Sequence, residues 1–291
     1  MTADDIQYPS GFGLQDVVGW GTTGLVVLDK PTSTVVKTPL DDENEPLIAR
    51  EKQVYERFAE KGGHKGLLGY YGTFESGIRL QHASNYHLRS TNKKGRVSEN
   101  QRLSWAIQIA EAMDFIHKAG VIHGDLTCAN IFLDEELNAK LADFAGSSID
   151  GSPLLVAVPA SHEYPGSLQS IQGDLFAFGC IVYEIMTQQI PHHGKTDGEI
   201  RDLYTRGVFP DTSSLGALGG ICKKCWLGQY PKSEALVQDL KGMYPNFRHQ
   251  MPESLITSSP ANNLSHKLDT PPLAIITTSV VVYSRLLAQA S

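Results

Sequence analysis

Cysteine is scarce: Cys128, Cys180, Cys222 and Cys225 are the four in 291 residues, too few for a disulfide scaffold. No apolar stretch follows the acidic start MTADDIQYPS, so no signal peptide is read there and a reducing cytoplasm is the expected setting. Basic residues are outnumbered, with 25 Lys plus Arg against 32 acidic residues and a net charge of −7. That balance argues against nucleic-acid and anionic-membrane partners, since both need clustered Lys and Arg. No internal repeat is evident. What the chain does have is 41% hydrophobic residues, enough to bury a core as one large domain or two small ones and to exclude disorder over most of its length.

The first third reads as sheet with one helix. Residues 17–37, VVGWGTTGLVVLDKPTSTVVK, hold two β-branched runs around the turn formers Asp29 to Ser33, which predicts a β-hairpin. Between Glu45 and Glu60, Leu47, Ile48, Val54, Tyr55 and Phe58 share one helical face and Gly62-Gly63 offers a stop. Glu51 lies at the centre of that face and Glu56 opposite it, so Glu51 is expected to point inward and Glu56 into solvent. Residues 67–83 return to short β-like runs. After the polar stretch STNKKGRVSEN, Ser98 and Gln101 resemble a capping box that opens a long amphipathic helix ending near Gly120. The segment DLFAFGCIVYEIM, 174–186, is apolar around nearly its whole circumference. It suits a helix at a domain centre and is too short for a bilayer. The last fifty or so residues lose regular patterning around Pro252, Pro260, Pro271 and Pro272 and read as a tail, with Leu273 to Tyr283 a docked strand or helix and not a membrane anchor.

Several motifs carry chemistry. Gly19, Gly21, Gly24 and Val26 fit G-x-G-x-x-G-x-V, and the glycines lead into a strand, whereas in a dinucleotide-binding fold they would open a helix. Glycines within a hairpin let backbone amides approach phosphates closely. Lys37 ends the strand Val35-Val36-Lys37. On its own it reads as a solvated strand end, but an inward Glu51 needs a cationic partner, and Lys37 is the natural one. His123-Gly124-Asp125-Leu126-Thr127-Cys128-Ala129-Asn130 precedes the short run Ile131-Phe132-Leu133, and Asp143-Phe144-Ala145 lies thirteen residues beyond Asn130.

Together these residues resemble, in order, the glycine-rich loop, V-A-I-K, H-R-D-L-x-x-x-N and D-F-G motifs of eukaryotic-type protein kinases. The resemblance covers about Val17 to Leu240, and Asp-Leu-Phe-Ala-Phe-Gly from Asp174 matches the family's D-x-W-S-x-G. It implies an α+β, bilobal fold, with a small, mostly β N-lobe with one helix (about 14–83) and a larger, mostly α C-lobe (about 84–240). A tail, 241–291, would follow, with no separate regulatory or targeting domain. It implies ATP and Mg2+ as cofactors and a protein substrate. Lys37 and Glu51 would pair at the nucleotide's phosphates, Asp125 would accept or orient the substrate hydroxyl proton, and Asn130 and Asp143 would ligate Mg2+. Leu80 would be the gatekeeper, and Gln81, His82 and Ala83 the hinge that bonds adenine. Cys225-Trp226 falls where kinases often carry that dipeptide, so Cys222-x-x-Cys225 reads as packing and not as a zinc site.

Departures shape the functional expectation. Gly124 replaces the arginine of H-R-D that normally pairs with a phosphorylated activation loop, so control by that switch is not expected. Thr127 and Ala129 stand where kinases place the Lys or Arg that screens the transferred phosphate, which implies slower turnover. Ala145 replaces the glycine of D-F-G, a mild change. No A-P-E motif is recognisable around Ser161-His162-Glu163 and Tyr164-Pro165. The arginine that usually pairs with its glutamate is also missing after the Cys-Trp helix, so both partners read as lost together.

Three readings stay open. The favoured one is an Mg2+-dependent protein kinase, for Ser/Thr in preference to Tyr. A pseudokinase or nucleotide-binding scaffold would account for the departures but not for keeping Lys37, Glu51, Asp125, Asn130 and Asp143. A small-molecule phosphotransferase of the aminoglycoside or choline kinase type shares His-Gly-Asp-Leu. Against it stand the complete glycine series and the 31 positions from Asp143 to Asp174, room for an activation segment. The sequence leaves the oligomeric state open.

Overall fold

The computed structural model describes residues 7–94 and 97–248, so the run Leu273 to Tyr283 lies outside the described residues. Strands β1 (Val17–Trp20), β2 (Leu25–Asp29) and β3 (Thr34–Thr38) form an antiparallel meander. The predicted hairpin is therefore two hairpins, because the glycine loop is itself a turn between β1 and β2. Helix α1 spans Glu45–Glu60, and β4 (Tyr70–Phe74) with β5 (Gly77–Gln81) completes a five-stranded sheet in the order β1-β2-β3-β5-β4. Helix α1 starts with Pro46 in its first turn, where the missing N–H costs nothing. It buries Leu47, Ile48, Glu51, Val54, Tyr55 and Phe58, the face read from periodicity, while Glu56 stays exposed.

The second lobe is helical. It comprises α2 (Leu88–Lys94), α3 (Glu99–Lys118), α4 (Ile171–Thr187), α5 (Asp197–Thr205), α6 (Gly216–Trp226) and α7 (Ser233–Arg248). Its short strands are β6 (Val121–Ile122), β7 (Ile131–Leu133), β8 (Ala139–Leu141) and β9 (Ser148–Ile149), which pair as β6 with β9 and β7 with β8. The fold is thus α+β and two-lobed, as expected. Helix α2 was not read from the sequence, since its polar residues resemble a loop. It forms where Leu88 is fully buried and Asn92 donates to the carbonyls of Glu184 and Ile185 (3.3 and 3.0 Å). Helix α7 runs past residue 240, where the sequence reading began the tail, and Lys241 ion-pairs with Glu111 of α3 (2.6 Å).

Ser98 caps α3 through the N–H of Gln101 (3.2 Å), and Ser170 caps α4 through that of Gly173 (3.0 Å). Helix α4 buries twelve of its seventeen residues, so an all-round apolar sequence becomes a central pillar. Gly179 lets α6 come close: a Cβ there would meet the Cβ of Cys225 at 2.8 Å and the Trp226 ring nitrogen at 3.0 Å. Trp226 Nε1 donates to Cys180 Sγ (3.2 Å), and all four cysteines are buried free thiols. Cys222 and Cys225 therefore pack between helices, and no cluster of three or more metal-binding side chains occurs among the described residues. No helix among the described residues is long and apolar enough to cross a membrane.

The lobes join through Phe144, fully buried and edge-on to Tyr55 (5.4 Å) and Phe58 (5.0 Å) of α1. Leu141 N–H donates to Gly66 O (2.7 Å) and Leu68 N–H to Leu141 O (3.2 Å). The segment carrying Asp143 is thereby held against the small lobe.

Candidate active site

Glycine spacing has a local cause at Gly24. A Cβ there would sit 2.4 Å from the carbonyl oxygen of Thr38, so only glycine lets β2 start this close to β3. Gly21 N–H donates to Gly24 O across the turn (3.1 Å), and Gly19 pairs with Val26 in the ladder. Leu80 is buried at the end of β5, and Gln81, His82 and Ala83 follow half-buried. Gln81 is turned toward Gly69, donating its N–H to Gly69 O (2.8 Å) and accepting Gly69 N–H on Oε1 (3.2 Å).

Lys37 is buried, and its ammonium lies 2.7 Å from Glu51 Oε2 and 2.7 Å from Asp143 Oδ1. Burial pulls the Lys37 amine down, but the charges of Asp143 and Glu51 outweigh it and hold the amine above the ordinary lysine range. Glu51 is completely buried, and desolvation pushes its carboxyl up against the pull of Lys37. Its Oε1 accepts the N–H of Phe144 (3.2 Å). A solvated strand-end lysine is thus not what forms; three residues remote in sequence meet on one ammonium.

Asp174 builds the loop from below. Its carboxylate accepts the N–H groups of His123 (2.8 Å) and Gly124 (3.0 Å) and bonds His117 Nε2 (2.8 Å). Burial raises the Asp174 carboxyl, and His117, His123 and the Gly124 N–H together outweigh it, leaving it below the ordinary range. On its other ring nitrogen His117 bonds Ser233 Oγ. Sequence reasoning missed His117 and Ser233, because neither belongs to a motif and only the packing of α3, α4 and α7 brings them together.

Asn130 Nδ2 donates to Asp125 Oδ2 (2.9 Å) and to the Asp125 carbonyl (2.7 Å), which leaves the amide oxygen as its acceptor. Burial and the nearby charge of Asp143 push the Asp125 carboxyl up to about 7. Asp143 itself adopts φ +64°, a left-handed conformation costing about 1 to 3 kcal/mol at a non-glycine residue and typical of functional sites. Burial opposes its ionisation, but Lys37 outweighs that and holds the carboxyl below its usual range.

The departures gain physical reasons. Gly124 has φ +74°, and a Cβ there would lie 2.3 Å from Leu154 Cδ2, so the arginine of H-R-D would need a strained backbone and a displaced Leu154. Thr127 is buried and its hydroxyl accepts Ala129 N–H (3.2 Å), so it does not face a substrate. Glu163, near where A-P-E would fall, pairs with Arg201 of α5 (2.7 Å), a helix that no local motif indicates.

The residues fit Mg2+. Glu51 and Asp143 share the single Lys37 ammonium, which uses only Oδ1 of Asp143, and the Asp125 carboxyl lies near enough for the charge of Asp143 to act on it. Two hard oxygen donors, from Asn130 and Asp143, leave remaining positions for water and phosphate, the usual pattern for this ion.

A two-lobed fold in which a strand lysine joins a helix glutamate to a loop aspartate, beside an Asp–Asn pair, is that of a kinase-type domain. The chain belongs to the protein kinase domain family, whose family model matches residues 14–213. It is similar to the serine/threonine-protein kinase PDK1 of Cryptococcus neoformans var. grubii (30% identical over 153 residues, 46% of this chain and 12% of that protein). It is also similar to the RAF proto-oncogene serine/threonine-protein kinase of Xenopus laevis (33% over 145 residues, 45% and 22%) and the serine/threonine-protein kinase PKH1 of Saccharomyces cerevisiae (26% over 212 residues, 62% and 28%). The matched stretches span between 12% and 28% of these relatives' lengths.

Proposed function

We propose that the chain transfers the γ-phosphate of ATP to a protein hydroxyl, that of Ser or Thr in preference to Tyr. The observation that carries this is the double contact of Lys37 with Glu51 and Asp143, both at 2.7 Å. A buried cation held between two carboxylates supports a phosphate-binding role for Lys37 and a metal-binding one for Asp143. The Ser/Thr preference draws support from the relatives' names.

In this reading the glycine loop from Gly19 to Gly24, with Val26, covers the nucleotide, and the backbone of Gln81 and Ala83 bonds adenine beside Leu80. Lys37 holds the α- and β-phosphates, oriented by Glu51. Asn130 and Asp143 would hold Mg2+, which supplies positive charge along the phosphates when bound. Asp125, steadied by Asn130, orients the substrate hydroxyl and receives its proton. A carboxyl poised near 7 combines adequate basicity with partial ionisation at neutral pH. The catalytic unit is taken as residues 14–240.

The test incubates the purified chain with labelled ATP, Mg2+, a protein panel, aminoglycosides and choline, alongside Asp125→Asn. Label on protein Ser or Thr that Asp125→Asn abolishes is the expected result. Label on the small molecules would replace the reading with that of the small-molecule phosphotransferase. Nucleotide-induced thermal stabilisation without transfer would make the chain a binding scaffold.

A further inference from the structure

Helix α1 carries two arginines that the site above does not use. Arg50 and Arg57 lie seven residues apart and so share a face. Arg50 Nη1 donates to the carbonyl of Ser147 (2.7 Å), to Ser152 Oγ (2.9 Å) and to the carbonyl of Pro153 (3.2 Å). Arg57 donates to the carbonyl of Ala119 (3.1 Å) and forks onto both oxygens of Asp150 (3.0 and 2.7 Å). Apart from Ala119, every acceptor lies in 147–153, the start of the stretch that follows Asp143.

That stretch is shaped to receive them. Asp150 N–H donates to Gly120 O (2.9 Å), Ile149 N–H to Ser152 Oγ (3.0 Å) and Leu155 N–H to Gly146 O (2.9 Å). Asp150 adopts φ +50° to present its carboxylate. Leu154 fills the room beside Gly124, and Val156 lies so close over Gly146 that a Cβ there would approach its Cβ to 2.3 Å. Helix α1, the end of α3 and strand β9 are therefore joined by charge-assisted bonds made entirely within the chain. Glu51, which must reach Lys37, is the neighbour of Arg50 on the same helix.

We propose that Arg57 and Asp150, seconded by Arg50, are positioning residues that hold helix α1 where Glu51 meets Lys37, with no phosphate on the segment. Asp150 supplies the negative charge that Arg57 meets from within the chain. The activity arm of the test rests on the proposed phosphotransfer; the structural arm does not.

The test measures hydrogen–deuterium exchange of the α1 amides in the full chain. It compares wild type, Arg57→Ala, Asp150→Asn and the exchanged pair Arg57→Asp with Asp150→Arg, each checked for folding by thermal melting. Loss of one partner is expected to speed α1 exchange about tenfold, as local opening becomes easier, and the exchanged pair to recover most of the protection. Asp150→Asn serves if Arg57→Ala does not fold. In parallel, each single change is expected to raise KM for ATP roughly fivefold, through a displaced Glu51. In a Lys37→Met background Arg57→Ala should change nucleotide binding no further. Phosphatase treatment of wild type should leave both readings as they were.

Arg57 and Asp150 are part exposed, at 25% and 62%, and an idle surface pair would leave exchange unchanged. Unchanged α1 exchange in folded single variants, no recovery in the exchanged pair, or loss of protection on phosphatase treatment would each overturn the proposal. Protection behaving as expected with no phosphotransfer by wild type would refute the proposed reaction and leave the positioning role standing.

Discussion

Replacing Gly124 with alanine is expected to destabilise the protein by about 1.5 to 3.5 kcal/mol, from two sources. At φ +74° an L-residue costs about 1 to 2 kcal/mol. The new Cβ would lie 2.3 Å from Leu154 Cδ2 and 3.0 Å from Cδ1, and turning Leu154 off its rotamer adds about 0.5 to 1.5 kcal/mol. The backbone has no cheaper escape, because the Gly124 N–H donates to the buried carboxylate of Asp174 at 3.0 Å. Breaking a bond to a charged group costs about 1.5 to 3 kcal/mol. Urea unfolding of wild type, Gly124→Ala, Leu154→Ala and the double variant separates the two sources. In the Leu154→Ala background Gly124→Ala is expected to cost only the backbone part, about 1 to 2 kcal/mol. Gly124→Arg, which restores the familiar H-R-D, is expected to lose at least as much as alanine and to gain no phosphotransfer. A loss below about 0.5 kcal/mol for Gly124→Ala, the level of a neutral surface change, would refute the packing argument. So would an equal loss in both backgrounds.

Lys37→Met strands Glu51 at 0% exposure and is expected to cost about 3 to 5 kcal/mol in chemical denaturation, with much of it recovered in Lys37→Met plus Glu51→Gln, which removes the unpaired charge. Asp125 titrates near 7 when folded, against an ordinary 3.8, so the folded chain binds a proton that the unfolded chain has released across that window. Stability contributed at this site therefore falls as pH rises from about 4 to 7. Unfolding measured in EDTA should show Asp125→Asn gaining on wild type over that range, by on the order of 3 kcal/mol; parallel curves would sink the assignment. His162 is fully buried, its Nδ1 bonds Ser161 Oγ (2.9 Å), and burial pulls it down to about 4 from 6.5. Its contribution is complete above pH 6.5 and lost as pH falls toward 4, so acid unfolding of His162→Phe should be flatter than that of wild type between those values.

Much of the site was legible because its spacing is short-range. The positions within His123 to Asn130, the glycines from 19 to 24 and the inward turn of Glu51 on α1 follow from local backbone geometry. Periodicity in 45–60 located both ends of α1, since five apolar residues on one face leave little choice of how a helix can bury them. Helix α2 was illegible for the converse reason: its polar sequence reads as a loop, and what holds Asn92 there is a pair of carbonyls at the end of α4, 92 and 93 residues away.

The pairing of Glu163 with Arg201 of α5 shows the same limit, for 38 residues separate the two and no local motif joins them. Gly124 could be seen as a missing arginine, but its positive φ and the leucine against it could not. Sequence alone determined which residue types are present and which face of each element they occupy, because φ/ψ preferences and burial act within a few residues. Tertiary structure alone decided which polar groups meet: Lys37 with Asp143, Asp174 with His117, and Arg57 with Asp150. Those distances depend on how whole elements pack, and an ion pair is made or lost within an ångström or two, a finer scale than any spacing along the chain resolves.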